Sequence, residues 1–212
     1  MKKYKTYLFD FDGTLVNSMP SFVSVMLRIL DENNIRYDKD IVKIITPLGY
    51  GGTAKYFKEL GISMTEDALV NLMNKYAYFE YENNIQAKEN VIPTLEKLRQ
   101  SGASLNILTA SPHLVLDVCL KRLGIYDLFE NVWSCEDFGK TKADPGIYIE
   151  AAERLGKKTE EILFLDDNYN ADKTAKEAGM KVCGVYDESS AEYVDEIKGI
   201  ADHYIYNFSE LV

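Results

Sequence analysis

Residues 5–14 read Lys-Thr-Tyr-Leu-Phe-Asp-Phe-Asp-Gly-Thr, a short apolar run followed by two carboxylates and a Gly-Thr pair. The run predicts a buried first strand over 5–9 with a loop at its carboxyl end. Asp10 and Asp12 are two residues apart, so an extended backbone would place both side chains on one side. Carboxylates that close repel each other unless a cation or proton lies between them. Mg²⁺ prefers oxygen ligands, and beside it one carboxylate can act as nucleophile while the other exchanges a proton.

Downstream of this stretch the apolar spacing becomes helical. Four helical segments with no strand between them are predicted at roughly 19–34, 39–45, 53–60 and 65–82. A loop rich in proline and glycine, residues 47–52, is expected between the second and third of them.

Beyond about residue 88 the pattern alternates between helix and strand. The helices are predicted at 91–100, 113–123, 145–155 and 171–178, and the strands at 104–108, 132–134, 162–165, 180–185 and 201–205. This alternation predicts an α/β fold with a mostly parallel sheet covered on both faces. The helical block then reads as an insertion after the first strand. We therefore predict a core domain from residues 1–15 and 86–212 and a helical domain from residues 16–85.

Two further predicted strands end in polar side chains that suit phosphoryl chemistry. Thr109-Ala110-Ser111 follows one of them, and Asp166-Asp167 follows another. In an open parallel sheet, functional groups gather at the carboxyl ends of the strands, so the fold would bring these residues near Asp10. Each piece alone also has a structural explanation, because Asp, Thr and Ser commonly cap helices or form turns.

The charge balance narrows the range of partners. With 24 Lys and Arg against 34 Asp and Glu, the formal net charge is −10, which argues against a nucleic-acid or anionic-membrane partner. An anionic small substrate would need a cation or a few placed lysines. The three cysteines form no CxxC pattern, and no apolar run approaches the ~18 residues of a membrane span, so a cytoplasmic location is expected.

Four stretches, in order, resemble the motifs of the haloacid dehalogenase superfamily. The first motif, DxDGT followed by Leu or Val, is similar to residues 10–16, and the second, a Thr or Ser closing an apolar strand, to residues 107–111. The third, a Lys before a Pro and an aromatic, resembles residues 142–148, and the fourth, an acidic pair after a strand, residues 164–168. The resemblance covers nearly the whole chain. It implies a Rossmann-like three-layer α/β/α core carrying the small helical cap of the phosphoglycolate phosphatase and phosphoglucomutase-like branch.

The resemblance also implies a role for each matching residue. Asp10 would attack phosphorus and become an aspartyl phosphate, while Asp12 would protonate the leaving oxygen and later deprotonate water. Thr109 would bind a phosphoryl oxygen, and Lys142 would balance the charge on Asp10 and the phosphoryl group. Asp167 would complete a Mg²⁺ site with Asp10 and the backbone carbonyl of Asp12.

Further candidates surround this set. Asp166 is expected to orient Lys142 or a metal-bound water, and Asn168 to support the metal from outside its ligands. Ser111 would either contact phosphate or cap the helix predicted at 113. The candidate substrate contacts in the cap are Tyr50, Thr53 and Lys55, although a glycine-rich helix connection also explains that loop.

The chain departs from the family pattern at two positions near the site. Ala143 stands where a Pro usually follows the motif lysine, which should loosen that loop. Ala171 stands where a second acidic residue is common, and Asp172 comes one position later.

The resemblance implies a Mg²⁺-dependent phosphatase for a small phosphorylated metabolite, of the phosphoglycolate or sugar phosphate type. A phosphosugar mutase is the nearest alternative, but family mutases usually carry a His shortly after the first motif, and residues 17–20 contain none. A non-catalytic protein that binds a phosphate ligand or a partner is the third. Dehalogenation is disfavoured because Asp12 and Asp167 are both present. A monomer or homodimer is expected.

Overall fold

The computed structural model describes residues 4–212, so residues 1–3 of the predicted core domain lie outside the described part. The chain forms two compact units. The chain up to Asn17 together with Gln86–Val212 forms one, the core unit, and Ser18–Ile85 forms the other, the helical unit. The sequence predicts this division after residue 15, two residues earlier. Asn17 lies in the core unit, where its backbone N–H donates to the carbonyl oxygen of Gln86 at 3.0 Å.

The core unit is built on one parallel sheet, as predicted. Its strands are β1 (Thr6–Phe9), β2 (Ser104–Thr109), β3 (Asn131–Ser134), β4 (Ile162–Asp166), β5 (Lys181–Val185) and β6 (His203–Ile205). The order is β3-β2-β1-β4-β5-β6, and every neighbouring pair is parallel. The chain proceeds from β1 to one side through β2 and β3, then returns to the other side at β4. The order therefore reverses beside β1, and parallel sheets bind ligands in the crevice at such a point.

Helices cover both faces of this sheet. They are α5 (Val91–Gln100), α6 (His113–Arg122), α7 (Pro145–Arg154), α8 (Tyr169–Glu177) and α9 (Val194–Ile200). Successive strand residues point to opposite faces. On one face Leu8 packs in a buried cluster with Ile147 of α7. On the other, the ring of Phe9 lies 6.2 Å from Phe129 and 6.3 Å from Phe208. Within residues 4–212, no helix combines the length and apolar character needed to cross a membrane.

The helical unit contains α1 (Met19–Glu32), α2 (Ile41–Ile45), α3 (Gly49–Glu59) and α4 (Glu66–Asn83). Their buried faces share one apolar cluster that includes Met26, Leu30, Phe57 and Met73.

The prediction of a loop over residues 47–52 is wrong, because a 3-10 turn over Thr46–Leu48 leads directly into α3 at Gly49. Glycine is a poor helix former, but packing overrides that preference here. The ring of Tyr50 stacks on Phe22 at 5.0 Å. A Cβ at Gly52 would lie 2.9 Å from the Cβ of Leu48, so this turn leaves no room for a side chain.

Thr53 is fully buried inside the helical unit, which corrects the expectation that it contacts substrate. Its hydroxyl donates to the carbonyl oxygen of Ile45 at 3.2 Å and lies 3.3 Å from the sulfur of Met26.

Thr53→Val should therefore lower the free energy of unfolding by about 1 kcal/mol and leave kcat/KM unchanged. Urea unfolding and steady-state kinetics on the same preparation check both. A fall in kcat/KM with stability unchanged would restore the substrate role.

Candidate active site

Three adjacent strands bring the predicted residues to one edge of the sheet. Asp10 directly follows β1, and its backbone N–H donates to the carbonyl oxygen of Leu165 at 2.8 Å. Phe9 is in register with Ile107 of β2 and Leu165 of β4. Asp10 and Asp166 are therefore neighbours at the carboxyl ends of β1 and β4.

Lys142 reaches this edge from the loop before α7. Its ammonium contacts the Oδ1 atom of Asp10 and donates to the Oδ2 atom of Asp166 at 2.8 Å. The loop is held although Ala143 replaces the usual proline. The hydroxyl of the buried Tyr148 lies 3.2 Å from the carbonyl oxygen of Lys142 and 3.1 Å from that of Ala171.

Burial and neighbouring charges of opposite sign shift the pKa values of Asp10 and Lys142 in opposite directions. Burial raises the pKa of Asp10 to about 7, although the ammonium of Lys142 acts in the opposite direction. Burial also disfavours the charged form of Lys142, but Asp10 and Asp166 outweigh it and raise the pKa of Lys142. The neighbouring carboxylates therefore favour the charged form of Lys142 beside the candidate nucleophile.

Asp12 and Ser111 form a second contact across the edge. The hydroxyl of Ser111 donates to the Oδ2 atom of Asp12 at 2.5 Å, and its backbone N–H donates to the Oγ1 atom of Thr109 at 3.1 Å. The alternative that Ser111 caps α6 is wrong, because the residue at the cap position is Pro112 and no side chain caps the helix. The contact orients the carboxylate that is expected to transfer protons.

The carboxylates form a cluster that suits a hard cation. Asp10, Asp166 and Asp167 each offer an oxygen, and these oxygens lie within 4.8 Å of one another. Asp172, which the sequence analysis left without a role, is completely buried, and neither of its oxygens has a hydrogen-bond partner among residues 4–212. Burial is the main cause that raises the pKa of Asp172 well above its usual range, and the negative charges of Asp166 and Asp167 add to it. The cation fit rests on Asp10, Asp166 and Asp167, because closely spaced carboxylate oxygens are the hard ligands that a divalent cation prefers.

Two expected supporting residues have defined contacts of their own. Asp166 accepts from Lys142 and also from the backbone N–H of Asn168 at 2.8 Å, so its oxygens are engaged in holding the lysine and its own loop. The Oδ1 atom of Asn168 caps α8, accepting the N–H groups of Asn170 at 3.0 Å and Ala171 at 3.2 Å. Its side chain therefore has a helix-capping role.

Gly13 is packed against one of the clustered carboxylates. Its φ is +73°, and a Cβ there would lie 2.6–2.7 Å from three atoms of the Asp167 carboxyl group. Thr14, to which the sequence analysis gave no role, donates from its Oγ1 atom to the Oδ1 atom of Asp167 at 3.1 Å. The turn after Asp12 therefore determines where the Asp167 carboxylate can lie.

His113, at the start of α6, links this helix to the turn that follows β3. Its Nδ1 atom lies 3.1 Å from Asp117 and its Nε2 atom 2.9 Å from Asp137, in the 3-10 turn after β3. Hydrogen bonds to these two carboxylates raise the pKa of His113. Two cations face the same carboxylate-bearing residues: Lys121 lies 4.0 Å from Asp117, and Arg154 donates to the carbonyl oxygen of Asp137.

The bridge of His113 predicts a pH-dependent stability. Because its folded pKa is raised, the contribution is fully present below the unfolded value near 6.5 and is lost as the pH rises through the folded value. The side chain is 39% exposed, so the difference between the wild type and His113→Gln should shrink by less than about 1 kcal/mol from pH 6 to pH 9. Urea unfolding at several pH values measures it. A difference that grows with pH would contradict the prediction.

Known proteins with similar sequences support an assignment to phosphoryl chemistry. The family model of haloacid dehalogenase-like hydrolases matches residues 4–179. The chain is 28% identical over 185 residues to the pyrophosphatase PpaX of Bacillus velezensis. The aligned region covers 87% of this chain and 84% of that protein. The chain is also 27% identical over 194 residues to a phosphoglycolate phosphatase of Colwellia psychrerythraea, covering 87% of this chain and 85% of the other.

Solved structures show the same fold. A predicted phosphoglycolate phosphatase from Haemophilus somnus superposes with a TM-score of 0.83 at 24% identity, covering 100% of this chain and 97% of that one. A hydrolase of the same family from Deinococcus radiodurans, with bound phosphate and sodium, has a TM-score of 0.79 at 22% identity and covers 98% and 93%. The α/β fold expected from the alternation of predicted helices and strands is thereby confirmed.

Proposed function

Since the chain belongs to the haloacid dehalogenase-like hydrolases and is a phosphoric monoester hydrolase, we propose that it hydrolyses small phosphorylated metabolites with Mg²⁺ through an aspartyl phosphate. One observation supports this most directly. At the carboxyl edge of the sheet, Asp10 contacts the ammonium of Lys142 and also offers an oxygen to the carboxylate cluster with Asp166 and Asp167. Asp12, oriented by Ser111, is two residues away.

The chemistry proposed for the first half-reaction uses the side chains of this edge. A carboxylate oxygen of Asp10 attacks phosphorus and forms an acyl phosphate, while the bond from phosphorus to the ester oxygen breaks. The leaving oxygen takes a proton from Asp12 and departs as an alcohol. Lys142 and the hydroxyl of Thr109 offset the charge on the phosphoryl oxygens, which is the main catalytic requirement of phosphoryl transfer.

The second half-reaction reverses the role of Asp12. Its carboxylate removes a proton from a water molecule, and the water oxygen attacks phosphorus of the acyl phosphate. The bond to Asp10 breaks, inorganic phosphate leaves, and Asp10 returns as a carboxylate. Ser111 keeps Asp12 oriented in both steps by its hydrogen bond.

The residues present fit a Mg²⁺ site, because the clustered ligands are hard carboxylate oxygens and their negative charge is not balanced by Lys142 alone. Asp10, Asp167 and the backbone carbonyl of Asp12 would hold the ion. When bound, it supplies positive charge to the reacting phosphoryl group. Asp166 would remain on Lys142.

The names of the relatives define the substrate classes to test. They include a pyrophosphatase and a phosphoglycolate phosphatase. We propose a small carboxylated or sugar monoester as the substrate. Of the cap candidates, Tyr50 and Lys55 stay proposed contacts for the part of the substrate beyond the phosphate.

Hydrolysis of p-nitrophenyl phosphate by the purified wild type, with Mg²⁺ or with a chelator, tests the proposal. We expect turnover with Mg²⁺ and its loss on chelation. A panel of phosphoglycolate, pyrophosphate and hexose phosphates would then rank substrates by kcat/KM. Transfer of phosphate between two hydroxyls of a hexose phosphate without release would instead establish a mutase. No reaction with any compound of the panel would favour a non-catalytic protein.

A further inference from the structure

Lys88 connects two loops of the core unit at the carboxyl edge of the sheet. It lies where the chain returns to the core unit after the helical insertion, and its backbone N–H donates to the carbonyl oxygen of Leu15 at 2.9 Å. Its ammonium donates to the carbonyl oxygen of Gly13 at 2.6 Å, to that of Tyr186 at 2.5 Å, and to the Oδ2 atom of Asp187 at 3.0 Å. The loop after β1 is thus joined to the loop after β5.

The contacts of Lys88 leave it no donor for a substrate. An ammonium has three N–H donors, and three different acceptors use them. Its partner Asp187 is also engaged, because the Oδ1 atom accepts from the backbone N–H of Ser189 at 3.0 Å and from its hydroxyl at 2.6 Å. The side chain of Lys88 is only 18% exposed, and that of Asp187 only 6%. The arrangement therefore acts on the protein's own loops.

The loop that Lys88 holds is the turn that packs on Asp167. The Gly13 carbonyl accepts from Lys88, while the space beside the Cα atom of Gly13 is filled by the Asp167 carboxyl group. The next residue, Thr14, hydrogen-bonds to that same carboxyl group. A shift of the Gly13 peptide would therefore move two of the contacts that fix Asp167.

We infer that Lys88 is a positioning residue: by holding the Gly13 carbonyl, it keeps the turn over residues 12–14 against Asp167 in the arrangement that binds Mg²⁺. The inference rests on the proposed function for the identity of the cation. Residues that orient metal ligands from outside typically change metal affinity or activity by about 10–100-fold when they are replaced.

The direction of the effect separates positioning from simple electrostatics. Removing a nearby positive charge makes an acidic site more attractive to a cation, so an electrostatic role predicts tighter Mg²⁺ binding without Lys88. A positioning role predicts weaker binding, because the turn and the Asp167 carboxylate lose their fixed arrangement. Lys88→Arg sharpens the comparison, since it keeps the charge but presents a planar fork of donors in place of the ammonium.

The experiment is a calorimetric titration of the full-length protein with Mg²⁺, for the wild type, Lys88→Met and Lys88→Arg. We expect the Kd to rise about 10–100-fold in Lys88→Met, and also to rise in Lys88→Arg. The control Lys198→Met removes a lysine whose ammonium donates to the exposed Tyr206 hydroxyl at 2.8 Å, and it should keep the wild-type Kd. Circular dichroism verifies that each variant is folded at the titration temperature. Lys88→Arg decides the question if Lys88→Met does not fold.

An unchanged or lower Kd in the folded variants would overturn the inference, as would a wild type that binds no Mg²⁺. Hydrolysis of p-nitrophenyl phosphate, measured in parallel, tests the proposed function separately. A wild type that binds Mg²⁺ but hydrolyses nothing would remove the phosphatase assignment, while the Kd comparison would still decide the role of Lys88. In an active enzyme, we expect kcat to fall in Lys88→Met with KM within about threefold of wild type, because Lys88 has no donor left for substrate.

Discussion

Asp10→Asn should abolish turnover of p-nitrophenyl phosphate, with kcat falling at least about 10³-fold. The amide has nearly the shape of the carboxylate, but it is a poor nucleophile and cannot form the acyl phosphate. It also removes a negative charge from the cluster with Asp166 and Asp167. Steady-state kinetics at saturating Mg²⁺ measures the loss, and mass spectrometry of quenched enzyme should detect no phosphorylated protein.

Two comparisons make this result specific. Asp40→Asn changes a carboxylate that pairs with Lys43 on the surface of the helical unit, where its side chain is 81% exposed, and it should retain wild-type kcat. Asp12→Asn keeps the nucleophile but loses the proton donor, so it should be slow while Asp10 can still be phosphorylated. Substantial turnover by Asp10→Asn would exclude the aspartyl phosphate route.

Lys142→Met should destabilise the protein by about 3–5 kcal/mol at pH 8, the usual cost of removing one partner of a buried ion pair. The substitution leaves Asp10 and Asp166, both nearly inaccessible, without their shared cation. Urea unfolding in the presence of a chelator measures the loss without a contribution from Mg²⁺. The loss should be smaller at pH 5, because the pKa of Asp10 is already raised to about 7 and its carboxyl group can take up a proton.

The chain offers a matched control two residues away. Lys140 pairs with Glu150 at 2.6 Å, but the two side chains are 33% and 31% exposed, so Lys140→Met should cost less than about 1 kcal/mol. Activity should be lost in Lys142→Met and retained in Lys140→Met. Equal destabilisation by the two variants would contradict the role given to the buried contact.

Local sequence patterns predicted the core fold because its strands are short apolar runs bounded by turn residues. The helical unit was harder, since residues 47–52 combine proline and three glycines and yet are largely helical. Their structure depends on packing of Tyr50 and on the close approach of Gly52 to Leu48, which a local pattern does not contain. The burial of Thr53 also depends on the neighbouring helices, so the local sequence does not predict it.

The residues of the candidate site also differ in how far the sequence predicts them. Asp10, Asp12 and Asp167 could be predicted because they lie in recognisable stretches directly after strands. Lys88 could not, since two of its three acceptors are backbone carbonyl oxygens, which have no signature in the side-chain sequence. The sequence shows Asp172 only as a displaced acidic residue, whereas its lack of hydrogen-bond partners within residues 4–212 depends on the packing around α8.

The insertion after β1 has a consequence for how the chain folds during synthesis. Tyr7 of β1 is paired with Leu105 and Leu163, so the first strand emerges from the ribosome long before either neighbour. The helical unit, by contrast, is one contiguous segment, so all of it is made before β2. Asn17 and Gln86, which flank that segment, are hydrogen-bonded at 3.0 Å. A helical unit that folds first therefore shortens the effective loop between β1 and α5, and it reduces the chain entropy that must be lost when β1 meets β2.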